Sequence, residues 1–251
     1  MKNIFFIVIA LFISFSGHSQ DINTLLKEAF NLELKFKDDE ALLKYKQAIS
    51  LDENNVKALI KAAELCCATG ARNKDNNAKK NLYIEGLNYA KKAVSLATNN
   101  ADSYAVLATA NGKMTEVETE KKQIVAYVRE TKINADNALS INANHALANF
   151  IQGKWHYEMI NLNWAKRLAV KALYGGLPSA SIDQAAFYLE KSRKVDPYNA
   201  LTFLTLAKVY KEKTSPVEMI EVLEKLVKLP RRTIDDAAYI EEGKKMLEEN
   251  R

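Results

Sequence analysis

The chain is poor in the residues that break or staple a fold. Of 251 residues only eight are glycine, four proline and two cysteine. So little glycine and proline excludes collagen-like, linker-rich and most all-β architectures with many tight turns. The two cysteines, Cys66 and Cys67, are adjacent. A disulfide needs Cα atoms further apart than the about 3.8 Å between consecutive residues. They read as two small buried helix residues, so the fold must stand on its apolar core. A strong charge of one sign is also missing. The 36 basic and 31 acidic residues leave a net +5, too small an excess for a nucleic-acid footprint. Alternation with period two is absent over any useful length, so no sheet is expected. What the sequence does have is 48% hydrophobic residues, enough for a packed core, in a length that fits one large domain or two small ones.

The one long apolar run opens the chain. Lys2 precedes Ile4 to Phe15, and the small residues Gly17 and Ser19 precede Gln20. This is the pattern of a secretory signal peptide over residues 1–19, cleaved after Ser19. As a helix the run spans about 18 Å, short of the roughly 30 Å hydrocarbon core, so a retained anchor fits less well. No cysteine stands at the cleavage point to carry a lipid. The expectation is an exported protein, periplasmic if the source is a Gram-negative bacterium, with no transmembrane segment after cleavage.

Beyond the leader, four segments align: KQAISLDENNVKAL at 46–59, KKAVSLATNNADSY at 91–104, DNALSINANHALAN at 136–149 and EKSRKVDPYNALTF at 190–203. Each ends one amphipathic helix, makes a polar turn and starts another. Ala48, Ala93, Ala138 and Ser192 share a place, spaced by 45, 45 and 54 residues. The segments resemble tetratricopeptide repeats, which need small residues where paired helices touch. Only the fourth turn keeps that family's proline, Pro197. The ordinary unit has about 34 residues, so these units carry insertions. GARNKDNNAKK at 70–80 reads as an exposed loop, 115–141 as one long helix, and 162–175 as an extra helix closed by Gly175, Gly176 and Pro178. Ser215 before Pro216 marks a helix start, and Thr233 is expected to cap a last helix, Ile234 to Glu249, covering the open end of the stack. The fold expected is all-α: a right-handed tetratricopeptide-like solenoid of about a dozen helices over residues 20–251, with a C-terminal capping helix.

The irregular part is more diagnostic than the repeats. Gly153, Trp155, Tyr157, Leu162, Trp164 and Arg167, then Tyr174-Gly175-Gly176 and Pro178, look like the signature of the regulator of microtubule dynamics family. AAFYLEKSRKVDP at 185–197, LAKVY at 206–210 and LPRRTIDD at 229–236 continue the likeness, which covers about residues 100–249. The resemblance implies a single helical solenoid. The family's eukaryotic members are associated with microtubules and organelle membranes, but an exported chain does not meet cytosolic tubulin. The motif itself reads as a junction where the extra helix docks. Gly153 permits close helix approach, Trp164 is expected to be buried against the first helix of the fourth unit, and Arg167 stacks on that ring or pairs with a carboxylate. The alternative makes Trp155, Tyr157, Trp164 and Arg167 walls of a pocket for a lipid or small apolar ligand.

Chemistry is sparse. Outside the leader only His145 and His156 remain, and no His-Glu-x-x-His, Cys/His cluster, phosphate-cradling glycine loop or nucleophile elbow occurs. No catalytic residue, metal or cofactor is expected. Basic residues at Lys121-Lys122, Lys191 to Lys194, Arg231-Arg232 and Lys244-Lys245 are flanked by acids and read as solvated helix faces. The sequence therefore points to a scaffold whose concave face, formed by the first helix of each pair, binds a protein or peptide segment of acidic or mixed charge. By register the groove includes Lys57, Glu64, Phe150, Lys154, Tyr157, Leu204, Lys208 and Lys211. Leu26 and Phe30 stand where some repeat proteins clamp a peptide carboxylate, so that clamp is absent.

Overall fold

A computed structural model describes residues 21–176 and 178–250, with the side chains of Trp164 and Ala165 outside that description. The expected signal peptide, residues 1–19, lies outside the described residues. Within them the chain forms helices and no strand. Residues 21–33 are helical and are called α1 here. Then follow α2 (Asp38–Leu51), α3 (Val56–Arg72), α4 (Asn76–Leu96), α5 (Ala101–Met114), α6 (Lys121–Ile141), α7 (Ala146–Ile160), α8 (Trp164–Tyr174), α9 (Ile182–Val195), α10 (Ala200–Glu212), α11 (Pro216–Leu226) and α12 (Asp236–Glu248).

The aligned segments are the joints of a stack. α3 pairs with α4, α5 with α6, α7 with α9, and α10 with α11, while α3, α5, α7, α10 and α12 contact one another in turn. Ala48, Ala93 and Ala138 are wholly buried and Ser192 nearly so, as a position where paired helices touch requires. Seven residues after each stands the N-cap of the next first helix. Asn55, Asn100, His145 and Asn199 accept the backbone N–H of Ala58, Ser103, Ala148 and Thr202 at 3.0, 3.1, 3.2 and 2.9 Å. His145 does so through Nδ1, which leaves Nε2 to meet Asp102 of α5 at 2.8 Å. Tyrosines tie the pairs together, with the buried Tyr83 donating to Glu116 at 2.7 Å and the half-buried Tyr210 to Glu190 at 2.9 Å.

Three expectations need correction. Residues 70–80 are not a loop. α3 runs to Arg72 and α4 starts at Asn76, with Asn73 accepting the N–H of Asp75 and Asp75 that of Asn77 in a three-residue turn. The polar string is two helix ends sharing one capped turn, and Gly70 is buried because the Tyr83 ring lies where a Cβ would be. Nor is 115–141 one helix, since residues 115–120 are a turn in which Glu118 accepts the N–H groups of Thr119 and Glu120. Finally, Thr233 does not cap α12. The Asp236 carboxylate accepts the N–H groups of Arg232 and Thr233, at 2.7 and 2.8 Å, so the acid within the helix holds the segment before it.

The extra helix α8 does form, and it leans on α6 while α7 and α9 pair beneath it. Gly153 permits that pairing: an added Cβ would lie 2.6 Å from Leu189 Cγ and 2.9 Å from the Ala185 carbonyl oxygen. Gly175 ends α8 in the left-handed conformation at φ 89°. Arg129 of α6 stacks on Tyr174 and donates to its carbonyl at 2.7 Å, fastening the far end of α8.

The stack curls far enough for its ends to meet. Arg72, in the last turn of α3, donates to Asp38 at 2.7 Å and to Asp235, 163 residues on, at 2.9 Å. The inner helices α3, α5, α7, α10 and α12 are thereby joined into a closed circuit, the last link being one guanidinium.

Candidate functional site

The inward row of first helices is the surface on which the expected groove residues fall, and the structure separates them into three kinds. Phe150 and Leu204 are buried, at 9% and 2% exposure, within the largest apolar cluster. They support the surface and do not line it, a correction to the sequence-based groove. The cause is that large aliphatic and aromatic side chains fill the seam between neighbouring first helices. Lys57 and Lys211 are exposed, without a carboxylate partner among the described residues. Glu64, Lys154 and Lys208 are engaged. Lys61 bridges Glu64 and Glu33, both at 2.8 Å. Lys154 meets Glu158 at 3.5 Å, and Lys208 crosses to Glu242 of α12 at 2.6 Å. Tyr157 is half-buried against the main core, and burial, with Glu212 and Glu158 nearby, raises its hydroxyl pKa.

The electrostatics of this face are therefore alternating. Burial works to lower the Lys61 pKa, but Glu64 and Glu33 outweigh it and hold the ammonium charged. Glu116 is likewise opposed by burial yet lowered by Lys113 and Tyr83, with Lys154 contributing. Lys61 sits between two acids and Lys154 and Lys208 each face one, so a partner segment that exchanges with these pairs needs both signs of charge.

The family-like motif is a packing junction where it is described. Trp155 is 5% exposed and its indole N–H donates to the Val128 carbonyl at 3.2 Å. Its edge meets the His156 ring, and His156 stacks on Tyr188 with centroids 5.8 Å apart. Arg167 is exposed and donates to the Ile160 carbonyl at 3.1 Å, binding a helix end and not a carboxylate. Pro178 is half-buried in the link before α9. The expected burial of the Trp164 ring, and its share in any pocket, lie outside the described side chains.

Cys66 and Cys67 are buried and free, and burial pushes both thiols up to about 12, far from a reactive thiolate. Among the described residues no cluster of three or more His, Cys, Asp or Glu could hold a metal ion, and no helix is long and apolar enough to cross a membrane.

What sequence reasoning missed are the partners across the stack: Arg72 with Asp38 and Asp235, and Glu242 with Lys208. Helical periodicity carries no signal for contacts so far apart in the chain. The cap at Asn55, Asn100, His145 and Asn199 was available in the aligned segments, since each stands just before an apolar first helix.

Comparisons with known proteins agree with this architecture. A family model described as Regulator of microtubule dynamics protein 1-3 matches residues 25–251. Among similar curated proteins, Regulator of microtubule dynamics protein 3 of Xenopus laevis is 27% identical over 164 residues, covering 64% of this chain and 35% of the relative. Regulator of microtubule dynamics protein 1 of Mus musculus is 29% identical over 134 residues, 53% of this chain and 43% of the relative. The protein 1 of Caenorhabditis elegans is 26% identical over 172 residues, 68% and 75%. The chain thus spans less than half the length of the first two. Of solved structures, a thermophilic tetratricopeptide protein of Thermus thermophilus superposes with a TM-score of 0.64 at 16% identity, covering 88% of this chain and 98% of that one. Pseudomonas aeruginosa pilF gives 0.54 at 12%, covering 93% and 90%. At such identity these two speak for the fold alone.

Proposed function

Because the chain belongs to the regulator of microtubule dynamics protein 1-3 family, we propose that it serves as an exported, non-enzymatic repeat scaffold that binds another envelope protein through its concave helical surface. The observation that carries this reading is the alternating charge of the inward row. Lys61 with Glu33 and Lys208 with Glu242 are ion pairs between neighbouring first helices, and Lys57 and Lys211 beside them have no carboxylate partner among the described residues. The Lys208–Glu242 pair is exposed and worth little to the fold, so exchanging it for a partner's charges costs little, whereas the Lys61–Glu33 pair is more deeply set and holds its place. The support for a non-enzymatic role is the repeat fold together with the absence from the sequence of any nucleophile, metal or phosphate motif. The relatives' names speak of microtubule dynamics. An exported chain has no access to tubulin, and the proposal keeps the scaffold and not the partner.

Two measurements test this. Amino-terminal sequencing of the protein recovered from cells should start at Gln20, and an intact leader overturns export. A photo-crosslinking residue placed at Lys57, Tyr157 or Lys211 should give one protein adduct, which the pair Lys154→Glu and Lys208→Glu removes. Placed at Leu43 or Ile133, exposed on the second helices α2 and α6, it should not. Adducts spread equally over both faces, or unchanged by the double variant, overturn groove binding.

A further inference from the structure

Arg193 and Lys194 come together with Lys225 and Lys228 around one cleft, and Arg232 sits against Tyr198 of its lining. The cleft lies between the C-terminal ends of α9 and α11 and the turn that starts α10, and it encloses about 480 Å³. Tyr198, Phe203, Leu229 and Pro230 give it an apolar floor. Three of the surrounding cations are already engaged: Arg193 with Glu190, Lys225 with Glu221 and Arg232 with Asp196. Lys194 and Lys228 line the cleft, are exposed, and have no carboxylate partner among the described residues. Tyr198 leaves 52% of its surface in water although Arg232 sits against its ring, with 5.9 Å from guanidinium to centroid.

We propose that this cleft is a second binding site, separate from the concave surface, for an extended acidic peptide segment carrying one bulky apolar side chain. The apolar side chain enters between Tyr198 and Pro230, where the open aromatic face and the proline ring offer contact area at little entropic cost. Carboxylates on either side of it meet Lys194 and Lys228, two compact charges that are free to turn toward them. The choice of a peptide follows from shape and charge together. A bilayer needs a flat or protruding face, and this is a notch between two turns. A nucleic-acid backbone needs an unbroken basic track, and Glu190, Asp196 and Glu221 interrupt this one. The helix C-termini of α9 and α11 point their partial negative charge at the same place. Binding is therefore of moderate strength and sensitive to salt.

The test uses fluorescence anisotropy with the chain from Gln20 onward and a short labelled peptide of glutamates around one central tryptophan. Saturable binding is expected, weakened about tenfold or more by Lys194→Glu with Lys228→Glu, as for loss of close charge pairs at an interface. Tyr198→Ala, and a peptide with serine in place of tryptophan, should also bind more weakly. The groove variant Lys154→Glu with Lys208→Glu should bind as the parent does, which separates this site from the concave one. Circular dichroism melts accompany each variant, and Lys194→Gln with Lys228→Gln replaces the reversal if that lowers the melting temperature. No saturable binding, equal binding by the Lys194 and Lys228 variants, or tighter retention on phosphatidylserine vesicles or on a single-stranded RNA oligomer than on the peptide overturns the proposal.

Discussion

Gly153 marks the closest approach of α7 to α9, and its missing Cβ is what lets Leu189 and the Ala185 carbonyl lie against it. Gly153→Ala should cost about 1–3 kcal/mol, the range for overpacking a close-packed seam, and chemical denaturation with urea reads it directly. His156, four residues from Gln152 on the same helix, contributes differently. Its Nδ1 is buried without a hydrogen-bond partner, and burial, aided by Lys132 and opposed by Asp136, depresses its pKa below the usual histidine value. A depressed pKa means the fold holds the ring neutral while the unfolded chain takes a proton near about pH 6.5. The stability this gives is present above that value and is lost as the pH falls. The urea midpoint should drop between about pH 7 and about pH 5, and His156→Phe, which keeps a ring against Tyr188, should flatten that drop. An equal slope in the variant would remove His156 from the account. At this scale the sequence was readable where one residue type answers one need, as at Gly153, Cys66 and Cys67. It was not readable for His156, because its titration is set first by burial and then by charges on α6, both of which depend on tertiary packing.

Helix ends show how a chain with so few glycines stops its helices. α8 closes with Gly175 in the left-handed region and Gly176 donating back to the Lys171 carbonyl at 3.0 Å. α1 and α10 use the same closing bond, from Lys37 to Leu32 at 3.0 Å and from Ser215 to Tyr210 at 2.9 Å. The left-handed positions there are Phe36 at φ 59° and Thr214 at φ 54°. A Cβ in that region costs roughly 1–2 kcal/mol, so Thr214→Gly should raise stability by up to about 1 kcal/mol once glycine's greater loss of backbone freedom is set against it. Thermal unfolding checks the sign. The opposite outcome is expected at the other ends: Asn100→Ala or Asn199→Ala removes a side-chain acceptor from a first helix and should cost about 1 kcal/mol. The pairs, their order and the extra helix were legible from spacing, because the buried small residues recur at one register. Boundaries were less so. Polar strings such as 70–80 look the same whether they are loop or two capped helix ends, and only the partner N–H groups tell them apart.

Over the whole molecule, curvature is fixed by contacts that no local pattern announces. The bond from Arg72 to Asp235 joins residues 163 apart and closes the circuit of inner helices. Its side chains are partly exposed, at 25% and 30%, so salt should weaken it. Arg72→Ala should leave the helix content unchanged while increasing the radius of gyration in small-angle X-ray scattering and speeding amide exchange around 235–239. An unchanged scattering profile would mean that packing alone sets the curl. For the partner proposed above, the closure would also govern the order of events in loading the concave surface. A segment with a free end can thread through a closed circuit, but one flanked by folded domains on both sides has to wait for the link to open. For such a partner the observed association rate would level off with concentration at the rate at which Arg72 lets go. Raising the ionic strength would then make encounter faster, the reverse of what ordinary electrostatic steering gives.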